Sequence, residues 1–256
     1  MFYVFLLGPA GSGKSTLAAA LYDWLLSNDI DTIIVNLDPG VDWLPYKPDV
    51  DARDYVTVED VMEKYNLGPN GAIIAATDLL AVDAEKIKDE IESLKADYAI
   101  VDTPGQLELF AFRSAGEHLS KTLVSGGGAL SLFLVDIVFA SKPSSLVSML
   151  LLSYSVRFRL LLPQVLVLSK CDMVDERTVN YIVHLIENPA ELLNAISNEL
   201  KGMYRQLSES ICRLLDDIGY DIEVVPTSAV KGKGLDTLYS IAQRISAGGE
   251  DYVTYY

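Results

Sequence analysis

The nine residues Gly8–Thr16, GPAGSGKST, constrain the fold of this chain more than any other segment. They follow the apolar run FYVFLL at 2–7 and precede a helical pattern from Ser15 to about Leu26. A G-x-x-x-x-G-K-[ST] sequence between a buried strand and a helix is typical of a phosphate-binding P-loop. A glycine-rich turn with an exposed lysine is the alternative, but the flanking strand and helix favour the P-loop.

The motif assigns a chemical role to each of its residue types. Gly11 and Gly13 let the backbone curl so that successive N–H groups point at a β-phosphate, and the helix N-terminus adds partial positive charge. The Lys14 ammonium reaches the β- and γ-phosphates as a catalytic group, and the Ser15 hydroxyl binds Mg²⁺. The predicted nucleotide-binding residues of this segment are Gly11, Ser12, Gly13, Lys14, Ser15 and Thr16.

The chain is strongly acidic, and this limits the classes of partner that it can bind. Its 256 residues carry a formal net charge of −16, and the sequence pI is about 4.4. We expect no direct binding to nucleic acid, because a phosphate backbone is bound mainly through basic surface. A single nucleotide remains a suitable ligand, since a cradle of backbone amides needs few basic residues.

Cysteine and histidine are rare, which argues against a zinc site and favours a reducing, cytoplasmic location. These residues are Cys171, Cys212, His118 and His184. The N-terminal MFYVFLLG is too short for a signal peptide and lacks a basic lead. The most apolar stretch, at 145–163, contains Arg157 and Arg159. We therefore predict a buried or interface helix there and no membrane span.

Apolar runs of strand length alternate with helical patterns, which predicts an α/β fold. The predicted strands are FYVFLL (2–7), DTIIVNL (31–37), DYAIVDT (97–103), ALSLFLVDIV (129–138), QVLVLSK (164–170) and IEVVPTS (222–228). Beyond the first helix, helices are predicted at 57–65, in segments reaching Lys95, and at 144–161, 177–184, 189–217 and 235–246. The expected fold is the three-layer P-loop NTPase fold, a mostly parallel sheet flanked by helices.

We predict a single domain over residues 1–256, because the chain has no repeats, low-complexity tracts or Ser/Pro-rich linkers. Its most irregular part is an insertion at about 38–80. This insertion begins with a long loop, Asp38–Tyr55, that is rich in Pro, Asp and Gly. The last ten residues, AGGEDYVTYY at 247–256, are predicted to be a flexible tail.

The third predicted strand ends in IVDTPGQLE at 100–108. A buried strand beside the P-loop brings Asp102 to a second magnesium contact, made through water. The Gly105 amide can then donate to the γ-phosphate, so that 102–108 senses whether this phosphate is present. A D-T-P-G sequence alone is also a plain strand-exit turn, but the neighbouring P-loop favours the nucleotide role.

The fifth predicted strand ends in LSKCD at 168–172, which fits the [NTS]-K-x-D pattern of guanine-specific proteins. A carboxylate only accepts hydrogen bonds, and guanine offers N1–H and a 2-amino group side by side, whereas adenine offers neither. Asp172 is therefore predicted to select guanine, with the aliphatic stem of Lys170 lying along the base. In PTSAV at 226–230, the Ala229 amide is the predicted donor to guanine O6.

The segment LGPNG at 67–71 has two interpretations. Taken alone it predicts a tight turn, because Pro presets φ, Asn tolerates unusual backbone angles and Gly closes the turn. Together with GPAGSGKST, NLDPG at 36–40, DTPGQLE and SKCD, it resembles the GPN-loop GTPases over nearly the whole chain. The archaeal members of that family are the most similar in length. The wider group includes dimeric ATPases and GTPases of the MinD and arsenical-pump type.

This resemblance implies a homodimer whose subunits face each other across their nucleotides through the GPN-loop face. Gly68, Pro69 and Asn70 of one subunit would then enter the partner's site, where Asn70 contacts the γ-phosphate or released phosphate. Many relatives in the wider group carry an extra P-loop lysine that acts across the dimer. Here that position is Pro9, so an uncharged Asn amide would take its place, and turnover is expected to be slow.

Three residues compete to position the attacking water. Asp38 of NLDPG matches the aspartate that polarises water in the MinD-like group, and an ordinary strand-end cap is its alternative role. Gln106 follows the D-x-x-G sequence as the water-orienting glutamine of small GTPases does, and Glu108 lies two residues further on. Our hypothesis is that Asp38 polarises the water while Gln106 and Glu108 position it. Arg53 is left out, because an ion pair with a neighbouring aspartate is an equally good assignment.

The resulting hypothesis is a Mg²⁺-dependent homodimeric GTPase that converts GTP to GDP and phosphate and switches shape at 38–56 and 103–108. The resemblance implies a role in assembling protein complexes, with RNA polymerase as the expected client. A small-molecule P-loop kinase is one alternative, although SKCD and GPNG would have no purpose there. A scaffold that binds GTP without hydrolysing it is another.

Overall fold

The computed structural model, which describes residues 1–217 and 223–248, is built around one parallel β-sheet. Its strands are β1 (Phe2–Leu7), β2 (Thr32–Asn36), β3 (Val50–Asp51), β4 (Tyr98–Asp102), β5 (Gly128–Asp136), β6 (Gln164–Ser169) and β7 (Val224–Pro226). The predicted tail falls largely on residues 249–256, which lie outside the described residues, as does Ile222 of the sixth predicted strand. The predicted α/β class and the helix-flanked parallel sheet are confirmed.

Helices cover both faces of this sheet. In chain order they are α1 (Lys14–Ser27), α2 (Val58–Tyr65), α3 (Pro69–Val82), α4 (Ala84–Ser93), α5 (Leu107–Ala111), α6 (Ser114–Val124), α7 (Ile137–Ala140), α8 (Pro143–Leu160), α9 (Glu176–Glu187), α10 (Pro189–Glu199), α11 (Met203–Asp217) and α12 (Leu235–Ser246).

The strand order β3-β2-β4-β1-β5-β6-β7 places the P-loop strand β1 between β4 and β5. Leu6 of β1 lies opposite Asp102 of β4, and Asp136 of β5 lies opposite Ser169 of β6. Since these strands are all parallel, their carboxyl ends meet at one edge of the sheet. The loops that carry the predicted site residues therefore share that edge.

Strand β1 is buried on both of its faces, which explains its unbroken apolar sequence. Its residues Tyr3, Phe5 and Leu7 pack into the core formed with α5, α6 and α8. The alternate residues Phe2, Val4 and Leu6 pack on the opposite face, in the core formed with α1 and α12. Burial on both faces is what a parallel sheet covered by helices requires.

The loop predicted for Asp38–Tyr55 contains ordered structure that the sequence did not reveal. Strand β3 pairs with β2 through Val50 and Asp51, and a 3₁₀ turn, Ala52–Asp54, follows directly. A two-residue strand is too short to produce a periodic sequence pattern, so this part of the loop prediction is wrong.

The GPN segment is the start of a helix, and the prediction of a tight turn over Gly68–Gly71 is wrong. Helix α2 follows its Thr57 cap and ends at Tyr65, and the next residue, Asn66, has a left-handed φ of 51°. Gly68 then caps α3, whose first residue is Pro69. Proline is favoured at this position because its fixed φ is helical and its missing N–H would have no partner there.

No bounds were predicted for α5 and α6, although His118 of α6 falls in a helical pattern, and the single helix predicted for 189–217 is two. Gly202, with a φ of 62°, lies between α10 and α11. Gly116 lets α6 approach α5, because a Cβ at this position would lie 2.0 Å from the Phe110 carbonyl oxygen. A glycine within a helix lowers helix propensity, which obscured α6 in the sequence.

The apolar helix α8 lies in the protein core. Its side chains Leu146, Leu150 and Val156 are fully buried, and the buried Gln164 amide of β6 donates to Ser153. Among the described residues, no helix has both the length and the hydropathy that crossing a membrane would require.

Candidate nucleotide-binding site

The segment after β1 has the backbone form of a P-loop. Gly8, Gly11 and Gly13 all have positive φ, and a Cβ at Gly8 would lie 2.7 Å from the Leu134 carbonyl oxygen. Lys14 is the first residue of α1 and is only 6% exposed. The loop thus curls around the helix N-terminus, which is the arrangement that binds phosphate.

The Lys14 ammonium is held over the loop by two carbonyl oxygens. It donates to the Gly8 oxygen at 2.9 Å and to the Pro9 oxygen at 3.2 Å. Burial lowers the pKa of Lys14, while the carboxylates of Asp102 and Asp38 act in the opposite direction and favour its charged form. The cation is therefore held at the P-loop by the loop's own carbonyl oxygens.

Asp102 lies at the carboxyl end of β4, beside the P-loop, and is only 2% exposed. The Tyr46 hydroxyl donates to its Oδ2 at 2.9 Å. Burial raises the pKa of the Asp102 carboxyl, whereas the Ser15 and Tyr46 hydroxyls and the Lys14 ammonium lower it.

Two buried oxygens in this region, Ser12 Oγ and Asp102 Oδ1, have no hydrogen-bond partner among the described residues. An unsatisfied buried oxygen is unfavourable unless a ligand, ion or water completes its bonding. Carboxylate and hydroxyl oxygens are suitable ligands for Mg²⁺. The Asp102 carboxylate and the half-buried Ser15 hydroxyl therefore fit a magnesium ion beside the phosphates.

Asp38, at the end of β2, joins two segments of the site. Its Oδ2 accepts the Gly105 amide at 3.1 Å, and its Oδ1 accepts the Gly40 amide at 2.9 Å. The Gly105 amide is the group predicted to donate to the γ-phosphate, and here it is engaged by the predicted water-polarising carboxylate. The Gly40 contact is the strand-end cap that was the alternative role for Asp38.

The buried Asn36 side chain fixes the backbone of Asp38. Its Oδ1 accepts the Asp38 N–H at 3.0 Å, and its Nδ2 donates to the Asp38 carbonyl at 3.1 Å and to Asp51 at 2.9 Å. Asp51 also binds Arg53, with an N–O distance of 2.6 Å, and Arg53 donates to the Val41 carbonyl. Arg53 is thus engaged in holding the insertion, which supports leaving it out of the catalytic set.

Within the described chain, the side chains of Gln106 and Glu108 make no hydrogen bond to this cluster. Both are exposed: Gln106 precedes α5 without capping it through its side chain, and Glu108 lies in the first turn. Only Gly105 connects their segment to Asp38 by a hydrogen bond among the described residues. Both residues follow Gly105 closely in the sequence. Their proposed contacts with the attacking water stay a prediction.

The base end is fastened to the P-loop through β6. The Ser169 hydroxyl donates to the Ser12 carbonyl at 2.7 Å, and the Lys170 ammonium donates to the Gly11 carbonyl at 2.6 Å and to Asp136 at 2.7 Å. These hydrogen bonds fix the position of the SKCD segment relative to the P-loop.

A cleft of about 210 Å³ opens between these segments, lined by Gly13, Thr16, Lys170, Asp172 and Ala229 among others. The Ser228 hydroxyl donates to Asp172 Oδ1 at 2.6 Å and accepts the Lys231 amide at 3.2 Å. The hydrogen bond from Ser228 is the main cause that lowers the pKa of Asp172. An ionised carboxylate with a fixed orientation therefore faces the cleft in which a base would bind.

The GPN segment begins α3, and the Ile73 side chain of that helix lies against Gly40 of the loop after β2. Residues 63–70 are all exposed, including the apolar side chains of Tyr65 and Leu67. Within the part of the chain that is described, no hydrogen bond involves the side chain of Asn70. The Asn70 side chain is therefore exposed and available to bind another molecule.

Sequence reasoning missed four residues that shape the site. They are Asn36, Tyr46, Asp136 and Ser228. Asn36 and Asp136 end buried strands and Ser228 follows one, so the rule that polar residues at carboxyl strand ends face the ligand could have found them. Tyr46 had no such signal, because it lies in an irregular loop 56 positions from its partner Asp102.

Comparison with known proteins supports one family. Residues 6–248 match a family model described as a conserved hypothetical ATP binding protein. The chain is 31% identical to GPN-loop GTPase 3 of Kluyveromyces lactis, over 96% of this chain and 92% of that protein. This chain belongs to the GPN-loop GTPase family.

The chain covers different shares of two further proteins to which it is similar. GPN-loop GTPase 1 of Dictyostelium discoideum is 32% identical over 99% of this chain, but the chain spans 63% of that protein. The crystal structure of a GTPase from Pyrococcus abyssi in its apo form superimposes with a TM-score of 0.86 at 28% identity. That match covers 96% of this chain and 98% of the Pyrococcus protein, so the whole fold described above is shared.

Proposed function

We propose that this protein is a GTPase that hydrolyses GTP to GDP and phosphate. The observation that carries the proposal is the order of groups along one sheet edge: Asp102 on one side of the P-loop and Asp172 on the other. A triphosphate bound to the loop would extend its base towards Asp172 and its γ-phosphate towards Asp38 and Gly105. The family model's description refers to ATP, whereas the Asp172 carboxylate matches the paired donors of guanine.

The chain's own residues supply the chemistry of phosphoryl transfer by position and charge. Lys14 stabilises negative charge on the β- and γ-phosphates, and the Gly105 amide donates to the γ-phosphate once it leaves Asp38. The freed Asp38 carboxylate then orients the attacking water and draws its proton, with Gln106 and Glu108 brought around it. Mg²⁺, held by Ser15 and Asp102, would offset charge on the phosphate oxygens.

Phosphate release by the purified protein tests the base and the reaction together. We expect release from GTP with Mg²⁺ and at most a small fraction of that rate from ATP. Binding of GTP without release would favour the scaffold, and transfer of the phosphate to a small molecule would favour the kinase. Equal hydrolysis of GTP and ATP would show that Asp172 does not select the base.

We further propose that two subunits act together, each supplying Asn70 to the other. This rests on the exposed GPN segment, whose Asn70 side chain has no hydrogen bond within the described chain, and on the absence of a second P-loop lysine at Pro9. The exposed Tyr65 and Leu67 flank the segment with apolar surface, and such surface favours association.

A mixing experiment tests this arrangement. Lys14→Ala removes phosphate binding from its own site, and Asn70→Ala removes the amide from the partner's site, so each variant alone should be nearly inactive. In the mixed dimer, the Asn70→Ala subunit keeps its own Lys14 and receives Asn70 from the Lys14→Ala subunit. One of the two sites in each mixed dimer should therefore be active. Asn180→Ala, an exposed helical change, is the control. No recovery after verified subunit exchange would place Asn70 in its own site or outside the reaction.

The resemblance also leads us to propose that the nucleotide state is read by other proteins, with RNA polymerase as the expected client. Affinity capture with immobilised protein tests this in two arms, one loaded with GDP and one with a non-hydrolysable GTP analogue. Polymerase subunits should be enriched in one arm over the other. Equal or absent recovery in both arms would contradict this client.

A further inference from the structure

Tyr46 is an internal anchor of a loop that is partly exposed. The loop joins β2 to β3, and its neighbour Trp43 is 75% exposed. The Tyr46 ring instead packs against the core formed with α1 and α12, and its hydroxyl reaches Asp102 Oδ2 at 2.9 Å. The loop that begins with Asp38 is therefore attached to the carboxylate at the end of β4.

The two oxygens of Asp102 have different surroundings. Oδ2 accepts the hydrogen bond from Tyr46, whereas Oδ1 is buried without a partner among the described residues. A carboxylate held at one oxygen cannot rotate freely to exchange its two ends. Such a partner behind a metal ligand fixes the orientation of the ligand and typically changes metal affinity by about 10- to 100-fold.

We propose that Tyr46 is a positioning residue that directs Asp102 Oδ1 towards the magnesium of the bound nucleotide. This inference rests on the proposed Mg²⁺ site at Ser15 and Asp102. It adds that the metal site is coupled to the 38–49 loop through one hydroxyl group. Loss of that hydroxyl weakens the contribution of Mg²⁺ to nucleotide binding and leaves the binding of the nucleotide itself intact.

The test compares Tyr46→Phe with Tyr3→Phe. Both changes remove one buried hydroxyl, but the Tyr3 hydroxyl has no hydrogen-bond partner among the described residues. Dissociation of a fluorescent GDP is followed while Mg²⁺ is titrated, and GDP affinity is measured separately in excess EDTA. For Tyr46→Phe we expect the Mg²⁺ midpoint to rise by about tenfold, with GDP affinity in EDTA unchanged. Tyr3→Phe should match the wild type in both measurements.

The two proposals fail in different ways. If wild-type nucleotide binding does not depend on Mg²⁺, the metal part of the proposed function is wrong, and this inference is wrong with it. If the wild type depends on Mg²⁺ and Tyr46→Phe has the same midpoint, only the role of Tyr46 is wrong. Equal loss of affinity with and without Mg²⁺ would assign Tyr46 a structural role and also overturn the inference. Thermal unfolding of both variants verifies that each is folded.

Discussion

The backbone amide of Gly105 donates to Asp38 Oδ2 at 3.1 Å, which joins the loop after β4 to the loop after β2. One group is the proposed sensor of the γ-phosphate, and the other is the proposed activator of water. The amide cannot direct its single hydrogen at both the carboxylate and a phosphate. We therefore expect arrival of the γ-phosphate to free the carboxylate.

Asp38→Asn should separate binding from hydrolysis. The amide oxygen of Asn can still accept a backbone N–H, but the side chain no longer carries the charge that polarises water. We expect the single-turnover rate of GTP hydrolysis to fall by about 100-fold or more, while GTP affinity stays within about threefold. Asp42→Asn, an exposed change in the same loop, is the control. A rate near that of the wild type with intact GTP binding would remove Asp38 from the mechanism.

Asp172→Asn should change the base preference. Asn keeps one acceptor oxygen but replaces the other with an NH2 donor, so one of the two guanine donors is left unpaired, and GTP affinity should fall by about 100-fold or more. Xanthine carries a carbonyl in place of the 2-amino group, so the amide of Asn can donate to it, and xanthosine triphosphate should bind better than GTP. Asp175→Asn keeps a good cap for α9 and should change neither affinity. Unchanged GTP binding by Asp172→Asn in a competition assay would refute the assignment.

Asp102→Asn should stabilise the nucleotide-free protein although it weakens Mg²⁺ binding. Burial raises the pKa of the Asp102 carboxyl. Above its folded-state pKa, the wild type carries a desolvated charge that destabilises the folded protein. This destabilisation is lost as the pH falls through that pKa. The variant should therefore be more stable than the wild type at neutral to basic pH, and its advantage should shrink in acid. Thermal unfolding across pH measures this, with the exposed Asp89→Asn as control. A destabilised variant at pH 8 would contradict the expectation.

Gly116→Ala should destabilise the protein by about 1–3 kcal/mol, because the added Cβ would lie 2.0 Å from the Phe110 carbonyl oxygen and α6 must move. Gly71→Ala is the matched change in α3, where the nearest atom to the new Cβ is 3.7 Å away. It should stabilise by about 0.5 kcal/mol through helix propensity. Chemical denaturation compares the two, and equal effects would show that the close approach of α6 to α5 is not tight in solution.

The sequence predicted the sheet and the nucleotide motifs because both leave local signals. Each central strand is a short apolar run, and each motif follows such a run directly, as in FYVFLL before GPAGSGKST. Strand β3 and helices α5 and α6 left weaker signals, since β3 has two residues and α6 contains Gly116. The turn predicted at the GPN segment was wrong because Pro suits the first position of a helix as well as a turn.

The contacts that organise the site could not be predicted from the sequence. The bond between Tyr46 and Asp102 joins positions 56 apart, and the bond between Gly105 and Asp38 joins positions 67 apart. Such pairs depend on which strands become neighbours, and no local pattern specifies this. The placement of Asn70 in a partner's site stays a prediction, because it depends on a second copy of the chain.

Ser169 and Lys170 fasten the base-binding segment to the P-loop through the carbonyls of Ser12 and Gly11, and none of these bonds involves the loops after β2 and β4. The proposed contacts with the base and with the P-loop are therefore available to both GTP and GDP. GDP should compete strongly with GTP, so product inhibition is expected. The ratio of the two nucleotides in the cell, more than the concentration of GTP, would then set how much of the protein is ready to react.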